Sequence, residues 1–175
     1  MFSLCPHCKS EFSIELKNGS TLICSNCGYE ETSDVFAFLH NTGNVGDEIR
    51  YVSDWSRFIF NEYRKELEAD PDASLTAETA IHMIAEDKNK FCQAGNGTVS
   101  LSRYSFHLKA VLNGEPLDLN VPITVIPMLP FSPGKHFEVQ HGKTIYRCVL
   151  TDGKLVMKFI NMVKIFYELS AEAKA

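Results

Sequence analysis

From Glu11 to Lys17 apolar and polar residues alternate: Phe12, Ile14 and Leu16 against Glu11, Ser13, Glu15 and Lys17. A period of two places one set on each face of a β-strand. Asn18-Gly19 supplies a hairpin turn and Leu22-Ile23 the returning strand. A connector, Ser33 to Val52, follows, with Phe36, Phe38 and Leu39 as its apolar content and turns at Asn41-Thr42-Gly43-Asn44 and Gly46-Asp47. The period then changes. Trp55, Phe58, Ile59, Tyr63 and Leu67 recur at helical spacing over residues 53–68, opposite Arg57, Asn61, Arg64, Lys65, Glu66 and Glu68. Ser53 suits the N-cap and Asp54 the first turn, while Asp70-Pro71-Asp72 stops the helix.

From Leu75 the period returns to two. Ala77, Thr79, Ile81 and Met83 form one face of a strand, and Asp87 to Lys90 reads as a turn before Phe91-Cys92. Gly95-Asn96-Gly97 reads as a tight turn. Val99 and Leu101 share one parity and Tyr104, Phe106, Leu108 and Ala110 the other, so a turn or bulge is predicted near Ser102-Arg103. Asn113-Gly114 is a hairpin turn. Leu117 to Met128 reads as extended, with Pro122 and Pro127 placing it at an edge or interrupting it. Phe137 to Val139 and Ile145 to Val149 flank the turn His141-Gly142-Lys143, and Asp152-Gly153 closes the run. Residues 154–169 predict a second helix, with Leu155, Phe159, Met162, Val163, Phe166 and Leu169 on one stripe. The expected fold class is therefore α+β and mainly β. Six or seven strands form a small antiparallel barrel or sandwich capped by a carboxyl-terminal helix.

The cysteines add what periodicity cannot. Cys5-Pro6-His7-Cys8 and Cys24-Ser25-Asn26-Cys27-Gly28 form two tight pairs around the first hairpin, separated by residues 9–23. Each pair puts two thiolates on one turn, the spacing of a tetrahedral zinc site. Residues 1–32 are therefore predicted to be a zinc ribbon with Cys5, Cys8, Cys24 and Cys27 as ligands. Four thiolates close the coordination shell, so the expected role of the metal is structural. His7 is read as a surface residue. Cys92 and Cys148 stand outside the ribbon and are read as buried thiols, in keeping with a reducing, cytoplasmic setting. The predicted domains are thus a ribbon (1–32), a connector with its helix (33–73) and a β-domain with the second helix (74–175).

Charge narrows the partners. The chain carries 17 basic and 22 acidic residues, a net charge of −5. Residues 1–34 hold two basic and five acidic groups, and four thiolates on one Zn²⁺ add about two more negative charges. Nucleic-acid binding needs a basic face, and an acidic ribbon argues against it. No stretch approaches eighteen apolar residues, so no transmembrane helix is predicted, and Met-Phe-Ser-Leu-Cys does not read as a signal peptide.

Two resemblances follow from these motifs. Gly95-Asn96-Gly97-Thr98-Val99-Ser100-Leu101-Ser102, then Tyr104-Ser105-Phe106 and the terminal helix, resembles the core of the pleckstrin-homology and GRAM superfold over residues 75–170. The whole chain, with its ribbon, its Phe36-Ala37-Phe38-Leu39 segment, its Trp55 helix and its β-rich end, resembles the carboxyl-terminal extension of bacterial 1-acyl-glycerol-3-phosphate acyltransferase-like proteins. That resemblance implies a fragment of a longer chain, following a catalytic domain and associated with a membrane through that domain or a partner. The acyltransferase family's His-x4-Asp spacing recurs at His82 and Asp87, but His82 falls in a predicted strand and no Pro-Glu-Gly-type motif follows. The pair is read as a cross-strand or surface histidine followed by a turn aspartate. No other catalytic or cofactor-binding residue is predicted. Lys135, His136, His141, Lys143 and Arg147 form a modest basic patch that a phosphate headgroup would meet, against a solvated-surface reading. The expected role is a non-catalytic accessory module, with a catalytic domain, another protein or a membrane surface as its contact. The alternative is a free-standing ribbon adaptor.

Overall fold

The computed structural model describes residues 2–41, 49–85 and 90–173. The chain divides into two compact units, residues 1–66 and 67–175. In the first unit the predicted hairpin forms from β1 (Ile14–Lys17) and β2 (Thr21–Cys24). Asn18 and Gly19 turn it with φ of 50° and 76°, paired positive values that match strand twist, within the three-residue loop Asn18 to Ser20. The sheet continues into the connector. β3 (Glu30–Ser33) pairs with β2, and β4 (Leu39–Asn41) pairs with β3. Phe38 and Leu39, read above as linker, thus belong to a hairpin, with Leu39 buried. The turns expected over residues 42–48 lie outside the described residues.

Helix α1 (Val52–Ala69) forms where the apolar spacing predicts it. Trp55, Ile59, Tyr63 and Leu67, each four residues on from the last, are the side chains it buries. Its amino-terminal cap differs from the prediction. Ser53 lies within the helix, and the carboxylate of Asp54 accepts the amides of Arg50 (3.1 Å) and Tyr51 (3.0 Å). A side chain reaching back from the first turn satisfies donors that the helix itself cannot.

The second unit is one antiparallel sheet of seven strands and a helix. Its strands are β5 (Ser74–Ala85), β6 (Lys90–Ser102), β7 (Ser105–Leu112), β8 (Glu115–Pro122), β9 (Phe131–Ser132), β10 (His136–His141) and β11 (Thr144–Leu150). The order across the sheet is β8-β7-β6-β5-β11-β10-β9. Two meanders are therefore joined where β11 returns beside β5, with Ile81 opposite Cys148. The sheet curls on itself. Phe106 on β7 and Phe137 on β10 are not on neighbouring strands, yet their rings meet edge-on at 6.0 Å. Helix α2 (Leu155–Glu172) packs on this curl, with Phe159 5.5 Å from Phe137. Of the predicted stripe it buries Phe159, Met162, Val163 and Phe166, with Leu155 and Leu169 half-buried, and it buries Val156, Ile160 and Ile165 besides. A helix seated in a curved sheet is covered from more than one side.

One expectation fails here. Gly95-Asn96-Gly97 is not a turn but the middle of β6. A Cβ at Gly95 would collide with the Val111 carbonyl and one at Gly97 with the Lys109 carbonyl. The glycines therefore admit the close approach of the β7 backbone. Leu117 to Met128 is extended only to Pro122, after which Ile123–Val125 form a 3-10 turn. Pro116 and Pro122 sit on β8, which is an edge of the sheet, where a missing amide breaks no ladder. Of the turn predicted at 87–90, residues 87–89 lie outside the described residues and Lys90 opens β6. Among the described residues no helix is long and apolar enough to cross a membrane.

Candidate metal centre

The two cysteine turns close onto one point. Cys5, Cys8, Cys24 and Cys27 each offer a sulfur, and the four sulfurs lie within 4.8 Å of one another. Cys5 and Cys27 are 3.7 Å apart, as are Cys8 and Cys24. A tetrahedron with metal–sulfur bonds of about 2.3 Å has edges of about 3.8 Å, so the donor set fits an ion of that size and preference. It is the one such cluster of His, Cys, Asp or Glu among the described residues.

Local backbone chemistry builds each turn. After the first pair, Lys9 takes a left-handed conformation (φ 57°), and after the second, Gly28 does so (φ 73°). The Lys9 amide returns to the Cys5 carbonyl at 3.0 Å and the Gly28 amide to the Cys24 carbonyl at 2.9 Å. Gly28 is suited to that conformation, whereas Lys9 holds it with a side chain. Amides then point at sulfur: those of Cys8 and His7 at Cys5, those of Cys27 and Asn26 at Cys24. Such donors favour the thiolate, the form that binds metal.

The sulfurs differ in exposure. Cys5 and Cys24 are buried, Cys8 is half-buried and Cys27 is exposed. Burial dominates at Cys5 and pushes its thiol up strongly. At Cys24 burial also opposes the charged form, but the Ser13 hydroxyl and the amides of Cys27 and Asn26 outweigh it, bringing the thiol down to about 6. Ser13 contacts the Cys24 sulfur at 3.2 Å, and the Asn26 side-chain amide donates to Cys8 at 3.5 Å. Neither residue carried a signal in the sequence, because a partner eleven or eighteen residues away leaves no local period.

The helix is tied to this centre through Trp55, which is fully buried. Its indole nitrogen donates to the Leu4 carbonyl at 2.9 Å, one residue before the first ligand. Its ring stacks on Phe2 at 4.2 Å and meets Tyr29 edge-on at 6.0 Å. Lys9, within the first turn, pairs with Glu62 on the helix at 2.6 Å. Beneath lies Glu31, fully buried, which accepts the Tyr29 hydroxyl at 2.8 Å. His7 is exposed, its ring parallel to that of Tyr29 at 6.3 Å.

The other candidates of the sequence belong to the second unit. His82 lies in β5 opposite Gln93 and Arg147, and Asp87 is outside the described residues. The basic patch is only partly available to an anion. The Arg147 guanidinium donates twice to Glu138, at 2.9 and 2.7 Å, and lies 3.5 Å over the Phe91 ring. His136 is half-buried beside Glu138, and burial and then Arg147 hold it below the usual histidine range. His141 and Lys143 are exposed at the β10–β11 turn. Cys148 is buried against the core, which pushes its thiol up to about 12, and Cys92 is half-buried. No family model matches the chain, and no curated protein matches it.

Proposed function

We propose that this chain is a non-catalytic zinc-ribbon accessory module, the carboxyl-terminal region of a bacterial phospholipid-synthesis acyltransferase of the 1-acyl-glycerol-3-phosphate type. The observation that carries the non-catalytic part is the closed four-thiol cluster. Cys5, Cys8, Cys24 and Cys27 lie close enough together that they would satisfy a tetrahedral Zn²⁺ completely, leaving no position on the ion for water or substrate. The ion would supply cross-linking and charge neutralisation, and the four cysteines would hold it.

The acyltransferase assignment rests on the resemblance of the ribbon, the Phe36 to Leu39 segment, the Trp55 helix and the β-rich end. A pleckstrin-homology-like reading of residues 74–175 is supported by a four-strand meander, a three-strand meander returning beside the first strand, and a terminal helix. In this reading the β-domain is a scaffold, and its contact is the catalytic domain or the membrane surface.

An immunoblot of fractionated source cells tests the assignment. A band clearly larger than this chain, in the membrane fraction, is expected. A soluble band of the size of this chain alone would overturn it and leave a free-standing adaptor as the reading. Elemental analysis tests the metal separately: one zinc per chain is expected, and none in the purified protein would overturn the zinc-ribbon reading.

A further inference from the structure

Ser13 is buried beside the cysteine cluster, with 7% of its surface exposed. Strand alternation would set Ser13 and Ile14 on opposite faces, yet both are buried. The residue before them holds a left-handed conformation. Phe12 has φ 55°, with its amide bonded to the Ser3 carbonyl at 2.8 Å. Such a backbone is costly for a residue with a side chain and persists only where its surroundings over-determine it. The kink stands at the entry to β1, where Ser13 turns inward.

Main-chain bonds fix where the hydroxyl lies. The Ser13 carbonyl accepts the Ser25 amide at 2.8 Å and the Ser25 hydroxyl at 3.1 Å. Ser25 follows Cys24 directly, and Ile14 is opposite Cys24 in the β1–β2 register. Ser13 is thereby clamped to the second cysteine turn. Its Oγ lies 3.2 Å from the Cys24 sulfur and 3.0 Å from the carbonyl oxygen of Ser10, which follows the first cysteine pair.

A hydroxyl has one proton for these two contacts. With Cys24 a thiol, its S–H donates to Ser13 and the Ser13 O–H donates to Ser10. Metal ligation needs the thiolate, which has no proton to give. The contact between Cys24 and Ser13 is then a hydrogen bond only if the hydroxyl donates to sulfur. That rotation orphans no carbonyl, because Ser10 also accepts the Cys5 amide at 3.1 Å. A hydrogen bond to an ionised group is about twice as strong as one between neutral groups, so the exchange favours the sulfur. Cys24 is 1% exposed, so water does not compete for it. At Cys8 the side-chain donor is the Asn26 amide, 3.5 Å away at an exposed position where water can take its place.

We propose that Ser13 is a positioning residue of the metal centre, whose hydroxyl turns from the Ser10 carbonyl to the Cys24 sulfur as the thiolate forms and so raises the affinity of the four cysteines for their ion. The proposal rests on the zinc-ribbon reading and adds to it a residue that the cysteine spacing does not mark.

Zinc competition between the full chain and a chromophoric chelator tests it. Ser13→Ala is expected to bind one zinc per chain with an affinity roughly 10- to 100-fold below the wild type, the range found when a partner of a metal ligand is removed. Ser13→Thr, which keeps the hydroxyl, is expected to recover most of that loss. Asn26→Ala is expected to fall by no more than about threefold, since water replaces an exposed donor. Cobalt(II) supplies a signature that altered packing alone would not. A hydrogen bond lowers the energy of the sulfur lone pairs. Ser13→Ala is therefore expected to move the sulfur-to-cobalt charge-transfer band to longer wavelength, with the ligand-field bands of a tetrahedral site unchanged. Equal zinc affinity in the wild type and Ser13→Ala, no recovery in Ser13→Thr, or an unmoved charge-transfer band would each overturn the role of Ser13 and leave the ribbon reading in place. A wild type that takes up no metal would overturn both, so the two failures are told apart.

Discussion

The two units solve the same problem with different means. Each is an antiparallel sheet with a helix packed on it. The second unit buries its stability in apolar side chains. Ile81, Val99, Phe106, Phe137, Phe159 and Phe166 are all fully buried, and Thr79 is the one buried polar residue among those described there. The first unit has a short list of buried hydrophobes, and Ser3, Ser13 and Glu31 are buried with them. A ribbon of about thirty residues buries too little to hold such groups by packing alone, and on the zinc-ribbon reading a metal at the four cysteines would make up the difference. A unit ordered by apolar packing thus stands in one chain with a unit whose order, on the zinc reading, a chelator would remove.

Removing the metal is the largest perturbation. With zinc bound, the two units are expected to unfold in separate transitions. A strong chelator or Cys24→Ser is expected to abolish the one belonging to residues 1–66, since structural zinc in small domains contributes about 10–16 kcal/mol. Trp55 emission should shift to the red, while circular dichroism retains the β signal of the second unit. A single lost transition covering both units would break the comparison.

Next in size is the core of the second unit. Phe159→Ala removes a ring packed on Phe137 and should cost about 3–5 kcal/mol in the second transition only. Zinc stoichiometry should not change, and elemental analysis of the same sample checks it. Gly97→Ala should follow at about 1–3 kcal/mol, because the new Cβ meets the β7 backbone rather than a movable side chain. Chemical denaturation measures the loss. A neutral result would mean that the close approach of β7 to β6 does not require this glycine.

The smallest effect concerns the exposed turn. The Phe38 amide, then the His40 ring and the Phe36 amide, hold the Asp34 carboxyl below the usual carboxylate range. A carboxylate lowered in the folded state contributes stability that is present above its ordinary value and is lost as pH falls through the lowered one. The turn should therefore stay ordered at neutral pH and loosen only in acid below that range. Amide exchange at Phe36 and Phe38 should rise several-fold in Asp34→Ala, with both unfolding transitions nearly unmoved. Protection unchanged by the substitution would show that Asp34 does not hold the turn.

Much of this architecture is legible in the order of the residues. Period two marks β1, β5, β7, β10 and β11, and period 3.6 marks both helices, because those elements each bury one face. The cysteine spacing marks the four sulfurs that do converge. Local chemistry with more than one use is what misleads. Glycines flanking Asn96 suit a turn as well as a strand that a neighbour approaches closely, and only the presence of β7 distinguishes the two. Phe36, Phe38 and Leu39 show too short a period to separate a linker from a hairpin. Ser13 and Asn26 are invisible as sulfur partners, because their role is set by distance in space.

The sequence by itself determined the elements with one buried face and the four cysteines that converge, since periodicity and Cys-x-x-Cys spacing are written within a few neighbouring positions. The tertiary structure decided the return of β11 beside β5, the curl that brings Phe106 to Phe137, the seat of Trp55 against Leu4, and the outward presentation of Val35 and Phe36. Each of these depends on which distant backbone comes near, and long-range closure is settled by the packing of the whole unit rather than by the preference of any local segment.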